Sequence, residues 1–348
     1  MSVLHRTKAL IAKGRDGSVN HIPTTIQKLD DHTDGITQGT YILVGAESSV
    51  GKTSLVRDKY IHTPYEYYKR INDPTKLDVL FVDLSLEITP EIGLAGAMTR
   101  KLYFDYQKII PPKRILRGLS DEGNILIEDM DEYFAEFLSK CLIFDEDITP
   151  NKYHDILMNV AKANGRFSRE AALISECGTY TPNNPNLYII VALDTVNLAE
   201  MDSGHTTIKS TIDRISRISV WFRNKCNFTF VIVQQFHGDL STTERRRFGS
   251  VTPKLTDFED SKRPTKDADI VLGLYDPIRH LPEEQTTFRG YDMNQLRSWY
   301  RSLHILKNRR GENNKVIDLK FDGMIGLFSQ LPDARDMDEL KYQEATRH

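Results

Sequence analysis

The sequence is poor in cysteine, has no long apolar run and carries no surplus of positive charge. Its three cysteines, Cys141, Cys177 and Cys226, are too few and too scattered for a disulfide framework or a zinc site. They read as buried or neutral thiols of a reducing compartment. The longest apolar runs, at 188–193 and 228–233, have the length of buried strands and fall far below the roughly 18–20 residues that span a bilayer. The opening residues, Met1-Ser-Val-Leu-His-Arg, lack the apolar stretch of a secretory signal. These absences point to the cytoplasm, that of the host if the chain is phage-encoded, and to no membrane partner. A net charge of −3 argues against broad electrostatic coating of nucleic acid. It leaves room for a channel lined by a few basic loops under an acidic outer surface.

What is present suits a large soluble fold. At 348 residues the chain can hold one large α/β domain or two small ones, and 39% hydrophobic residues suffice for a substantial core. No internal repeat or low-complexity linker divides it. From Thr40 onward strand-like runs alternate with helical patterns, which predicts a mostly parallel sheet covered by helices. The expected strands are 41–44, 79–84, 187–193, 229–233 and 270–275. The clearest helix is 206–226, where Ile208, Ile212, Ile215, Ile218 and Phe222 form one stripe and Lys209, Arg214, Arg217 and Arg223 lie off it. Residues 302–307 and 315–321 flank the turn-forming Gly311-Glu-Asn-Asn and read as a β-hairpin. Residues 165–186 read as an irregular insertion, and 3–13 as a short helix. The expected organisation is a short N-terminal segment over 1–21, one domain over 22–331 and a polar, peripheral tail over 332–348.

One motif carries specific chemistry. Ala46-Glu-Ser-Ser-Val-Gly51-Lys52-Thr53 has P-loop spacing, with Ala46 in place of the first glycine and Gly45 just before it to supply the turn. A strand precedes it and Ser54-Leu-Val-Arg-Asp-Lys-Tyr opens a helix. The small residues and Gly51 let the backbone amides of Gly45, Ala46, Glu47, Ser48, Ser49, Val50, Gly51, Lys52, Thr53 and Ser54 turn toward phosphates at a helix N-terminus. Lys52 would neutralise the β- and γ-phosphates of ATP, and the Thr53 hydroxyl would bind magnesium. The plainer alternative is a glycine-containing turn.

Open parallel sheets bind ligands at the carboxyl ends of their strands, so polar residues there are the ones to weigh. Asp194 ends its strand and is the natural Walker B carboxylate, holding magnesium through water; the alternative is a helix cap or loop aspartate. Glu87 follows the second strand, just before Thr89-Pro90-Glu91, which reads as an N-cap with proline at the first helical position. It could orient and deprotonate the attacking water, or merely help that helix start. Asp83, inside the strand, is less attractive. Gln235, with Gln234 before it, ends the fourth strand, where an amide can sense the γ-phosphate or simply satisfy loop backbone groups.

Taken together these residues resemble the C-terminal, RecA-like motor domain of DnaB-type replicative helicases. The resemblance runs through Ile22-Pro-Thr-Thr-Ile-Gln-Lys-Leu-Asp, the P-loop, Leu84-Ser-Leu-Glu87 and Leu142-Ile-Phe-Asp-Glu-Asp-Ile-Thr. It continues through Leu193-Asp194-Thr-Val-Asn-Leu, Val233-Gln-Gln235-Phe, Lys266-Asp-Ala-Asp269-Ile-Val-Leu-Gly-Leu-Tyr and Leu306-Lys307-Asn-Arg309-Arg-Gly311, in the family's order. It implies a RecA-like P-loop NTPase core with a C-terminal β-hairpin, ATP and Mg2+ as cofactors, and a hexameric ring of identical subunits. Lys307 and Arg309 would then reach the γ-phosphate bound by the neighbouring subunit, with Arg310 as an adjacent alternative; the plainer reading is an exposed basic turn. The stretch before Gly45 is too short for the N-terminal domain by which bacterial members contact primase, so a primase or a helicase loader remains an open partner. Residues 3–13 would dock on the next subunit as a linker helix or fray.

The stretch 237–266 follows the sensor position and carries Arg245, Arg246, Arg247, Lys254, Lys262 and Arg263. In the resembling family it includes a pore loop that tracks single-stranded DNA, and Lys262 and Arg263 lie nearest the matching segment. Aromatic residues are sparse there (Phe248 and Phe258), which favours phosphate tracking over base stacking; a solvated basic loop is the alternative. The expected function is an ATP-dependent replicative helicase that moves 5′ to 3′ on single-stranded DNA. The competing readings are a RecA- or KaiC-like ATPase that does not unwind, and a packaging or structural ATPase.

Overall fold

The computed structural model describes residues 19–348 except 119–120, 170–176, 203–206, 237–239, 241, 243–244, 246–250, 259–260 and 283; before residue 19 it describes only residues 8 and 11. The helix expected over 3–13 and the candidates Arg246, Arg247 and Phe248 thus lie outside the described residues.

The strands are β1 (Tyr41–Ala46), β2 (Asp78–Ser85), β3 (Cys141–Phe144), β4 (Gly165–Phe167), β5 (Tyr180–Pro182), β6 (Leu187–Asp194), β7 (Thr229–Gln235), β8 (Ile270–Tyr275), β9 (Thr287–Phe288), β10 (Tyr291–Asp292), β11 (Tyr300–Asn308), β12 (Lys315–Asp322) and β13 (Leu327–Gln330). Among the described residues nine of them form one sheet in the order β13-β12-β11-β8-β1-β7-β6-β2-β3. The block from β8 to β3 is parallel throughout, and β11, β12 and β13 continue it antiparallel. Every expected strand is present. Those ending at the site extend one or two residues further than expected, because Ala46, Asp194 and Gln235 keep strand pairing although their side chains are small or polar.

Both faces of the parallel block are buried, which is why its strands read as unbroken apolar runs. Along β1, Ile42, Val44 and Ala46 pack into one core while Tyr41 and Leu43 pack into the other. Along β6, Tyr188, Ile190 and Ala192 alternate with Ile189, Val191 and Leu193 in the same way. The first face is covered by α1 (Lys52–Arg57), α2 (Thr63–Ile71), α3 (Pro90–Tyr106) and α4 (Asp131–Ser139). A π-helical turn, Asp58–His62, joins α1 to α2. Pro64 lies just beyond it and has no amide hydrogen to donate, a setting in which a widened turn loses little. The second face is covered by α5 (Pro150–Asn164) and α6 (Ile208–Cys226), whose Ile212, Ile215, Ile218 and Phe222 are buried as the stripe predicts, while Ile208, the first residue of the helix, is exposed. A short helix, α7 (Arg263–Asp267), leads into β8.

The hairpin expected from 302–321 is the β11–β12 pair. The stretch expected to be an irregular insertion is partly regular: β4 and β5 form a two-stranded antiparallel ribbon in which Phe167 faces Tyr180. Strands this short, one ending in proline, leave no periodic signal. Beyond Pro332 the chain forms α8 (Glu339–Ala345). Its Tyr342 and Ala345 are buried against Tyr291, Leu296 and Tyr300. Those residues expected to form a peripheral tail therefore close a small third core.

Candidate nucleotide and catalytic site

β1 runs straight into the P-loop. Ala46 is its last residue, Glu47–Gly51 form the turn and Lys52 opens α1. Two residues of the turn sit in the left-handed region, Ser49 with φ 61° and Gly51 with φ 106°. Gly51 is required sterically as well, since a Cβ there would meet the Phe321 ring at 3.0 Å. At Gly45 a Cβ would come within 2.3 Å of Phe258 and 2.2 Å of Phe236, so close ring packing beneath the loop explains that glycine. Phe258 is accordingly buried core and not available to stack on a base, in line with the expectation of phosphate tracking for this stretch.

The parallel topology brings the other expected groups to the same edge. Lys52 is buried, and its Nζ lies 2.9 Å and 3.3 Å from the two carboxylate oxygens of Glu87, which follows β2. The Thr195 hydroxyl donates to Glu87 Oε1 at 3.0 Å and lies 3.0 Å from Asp194 Oδ1. The Thr53 hydroxyl lies beside Asp194. Burial raises the Asp194 carboxyl above the usual carboxylate range, the nearby Thr53 hydroxyl opposes that, and the Glu87 charge adds to it. Its Oδ2 is buried with no protein partner. A buried carboxylate with an orphaned oxygen beside the Thr53 hydroxyl fits a magnesium ion held by oxygen ligands and water.

Gln235 pairs with Ala46 across β1 and β7, beside the start of the P-loop, and its backbone N–H donates to Asn197 Oδ1 at 2.8 Å. Gln234 is fully buried on the opposite side, its Oε1 without a partner. Asp83 is occupied by Arg57 at 3.3 Å. Thr89 caps α3 with Pro90 in its first turn, as expected, although no side-chain cap bond forms. A cavity of about 630 Å³ lies between α2, α3 and α4 with Lys59, His62, Arg100 and Tyr133 in its wall; Lys52, Glu87 and Asp194 do not line it.

Lys307 and Arg309 are not at this edge. β11 is antiparallel to β8, so Arg301 near its start lies by the P-loop while Lys307 and Asn308 pair with Val271 and Ile270 at the opposite edge. There the Lys307 ammonium donates to the carbonyls of Thr265, Lys266 and Ala268 at 2.7–2.9 Å, capping α7. Burial and the neighbouring Arg309 charge lower its pKa. Arg309 pairs with Asp269 at 3.3 Å and donates to the Lys266 carbonyl. Arg310 donates to the Thr37 hydroxyl at 2.7 Å.

Of the basic residues expected to face DNA, Arg245 is bound to Asp257 at 2.6 Å and to the Thr252 carbonyl, within its own loop. Arg263 pairs with Asp267 at 3.0 Å, one turn along α7. Lys262 is exposed.

Several residues at the site went unnoticed in the sequence. Thr195 and Asn197 stand within the Asp194 motif and were findable by spacing. Arg279, His280 and Arg301 were not, because they lie more than two hundred residues from the loop they touch. Arg279 donates to the carbonyls of Ser48 at 2.6 Å and Ser49 at 2.8 Å. Arg301 Nε donates to the Val50 carbonyl at 2.9 Å. His280 Nε2 lies 2.6 Å from Glu47 Oε2.

A parallel sheet with a P-loop after its central strand, acidic groups at the ends of β6 and β2 and an antiparallel extension defines the RecA-like ATPase class of fold. A separately solved ATPase domain has this fold, with a TM-score of 0.65 and 18% identity over 95% of this chain and 99% of that one. So does a DnaB-like replicative helicase whose structure was described with its interactions with primase, with a TM-score of 0.64 and 18% identity over 95% of this chain and 67% of that one. No family model matches the sequence. Along 341 residues, 93% of its length, the chain is 23% identical to the replicative DNA helicase DnaB of Helicobacter pylori strain J99, covering 53% of that protein. The DnaB of strain 26695 is also 23% identical over 341 residues, with 52% of it covered. The chain thus spans about half the length of these relatives.

Proposed function

We propose that this chain is the motor of a replicative DNA helicase, an ATP hydrolase that works as a ring of identical subunits on single-stranded DNA. The observation that carries the reading is the opposition of its two cationic groups. Lys52 and the P-loop lie at one edge of the sheet and Lys307 and Arg309 at the other, joined by β11. At roughly 3.3 Å per residue the stretch from Arg301 to Arg309 spans about 26 Å, farther than an arginine side chain reaches. That distance keeps the basic pair from its own P-loop and supports a role at a neighbour's, within a ring of subunits. Similarity to DnaB along nearly the whole chain supports the same reading.

In that reading the P-loop amides and Lys52 hold the triphosphate, and Thr53 with Asp194 holds Mg2+, which offsets phosphate charge when bound. Glu87 orients the attacking water and takes its proton. Glu87 is paired with Lys52 at 2.9 Å, so the ammonium stands between the carboxylate and the phosphate it would bind. Gln235 reports the γ-phosphate to the stretch that begins at Phe236, whose amide is bonded to the Ala46 carbonyl at 3.0 Å. Lys262 and Arg263 are the described basic residues offered to the DNA backbone; Arg245 contributes after leaving Asp257. Lys307 and Arg309 stabilise transition-state charge in trans. The ring works in the cytoplasm, moves 5′ to 3′, and meets a loader or primase through surfaces still to be mapped.

The test is strand separation. A forked duplex with a 5′ single-stranded tail is expected to be unwound with ATP and Mg2+, and one with only a 3′ tail is not. Rings with DNA-stimulated ATPase but no unwinding of either fork would favour a RecA- or KaiC-like assembly ATPase instead.

A further inference from the structure

We infer that Arg279 and Arg301 are positioning residues that set the phosphate-binding shape of the P-loop by holding its carbonyls from outside. This rests on the P-loop being the nucleotide site, as proposed above, and adds residues that the motif does not contain.

A trans peptide is planar, so its C=O and the following N–H point in opposite directions. Pulling a carbonyl outward therefore aims the next amide inward. Arg279 grips the Ser48 and Ser49 carbonyls with its two terminal nitrogens. Arg301 grips the Val50 carbonyl with Nε. The three amides so aimed, those of Ser49, Val50 and Gly51, are consecutive. Consecutive inward amides with alternating right- and left-handed residues form an anion-binding concavity, and the positive φ angles of Ser49 and Gly51 agree with one here.

Both arginines are themselves held. The Asp276 carboxylate lies 3.4 Å from Arg279 Nε and 3.3 Å from an Arg301 terminal nitrogen. Arg301 also donates to the carbonyls of Ser298 and Tyr300 and covers the Phe321 ring at 5.1 Å. Asp276 follows β8 and Arg301 sits on β11, so the grip is anchored in the sheet. A guanidinium suits the task because its planar fork can hold two adjacent carbonyls at once, whereas an ammonium is a point charge.

Arg279 is the residue to vary, because it is exposed and its removal leaves the core intact; Arg301 is buried, and its loss threatens folding. The measurements, on the full chain, are the Kd for MgADP by calorimetry, KM and kcat for MgATP, and Tm. For Arg279→Ala we expect Kd and KM to rise about tenfold or more, as two charge-assisted hydrogen bonds are lost. Tm should stay within a degree or so and kcat should change little. Arg279→Lys should recover less than half of the lost affinity on a logarithmic scale. An Arg279→Ala protein that binds MgADP like the parent overturns the inference. So does an Arg279→Lys protein restored in full, since charge alone would then suffice. Lys52→Ala serves as the control for the site: if it too binds and turns over normally, the P-loop reading fails and not only this one.

Discussion

Arg309 and Lys52 should complement each other between subunits. Each of Lys52→Ala and Arg309→Ala is expected to be inactive as a pure ring, the first for want of the phosphate-binding ammonium. Removal of a trans arginine typically costs about three to five powers of ten in kcat, or roughly 4–7 kcal/mol at 1.4 kcal/mol per decade. With about 26 Å between Arg301 and Arg309 along β11, the two lesions fall in different sites under the proposed trans arrangement. In a ring assembled at random from equal amounts of both variants, about a quarter of interfaces pair an intact Lys52 with an intact Arg309. Mixing the two proteins before assembly should therefore restore ATPase to about a quarter of the wild-type rate if sites fire independently. Coupled firing would lower that figure but leave it far above either parent. In a cis arrangement every subunit would still carry a lesion in its own site, and no mixture would hydrolyse ATP. Absence of recovery in rings shown by light scattering to be mixed would refute the trans assignment.

Other outcomes follow from the same geometry. Glu87→Gln should bind MgATP at least as tightly as the parent and lose turnover by two or more powers of ten, read by calorimetry and phosphate release; unchanged turnover would remove Glu87 as the base. Gly51→Ala must place an alanine at φ 106° with its Cβ 3.0 Å from Phe321, costing about 1–3 kcal/mol in denaturant titration and abolishing nucleotide binding. Normal binding there would show that the cradle is not what holds phosphate. Asp194→Asn should stabilise the nucleotide-free protein while abolishing Mg2+-dependent hydrolysis. Burial raises the Asp194 pKa in the folded state, so the carboxyl group's contribution to stability is present at low pH and lost as pH rises through that folded pKa. The Tm advantage of asparagine should thus be a few degrees near about pH 8 and shrink toward about pH 4. An advantage independent of pH would contradict the assignment of the cost to charge.

The sheet and the clustering of most candidate site residues could be read in advance for one reason: the parallel strands are buried on both faces, so β1, β6, β7 and β8 appear as uninterrupted apolar runs, and polar residues gather at their carboxyl ends. Gly51, Lys52, Thr53, Glu87, Asp194 and Gln235 all stand within a few residues of a strand end. The structure brings Lys52, Glu87 and Asp194 into one hydrogen-bonded group through Thr195, with Thr53 beside it. What was hidden lacked local pattern. The β4–β5 ribbon has strands of three residues, too short to show a period of two. Arg279 and Arg301 reach the P-loop only because β8 and β11 are neighbours, a fact of pairing and not of spacing. The burial of Tyr342 was masked by the charged residues around it, which occupy the outer side of α8.

Lys307 has three protons to give and spends each on a carbonyl at the end of α7. An ammonium drawn to a neighbour's phosphate must let go of those oxygens, so the two engagements exclude one another. The helix left uncapped ends the basic stretch proposed to face DNA, and Lys262 stands at its other end. Under the proposed role, a single side chain would thereby make grip on the strand and grip on the adjacent nucleotide rivals for the same cation.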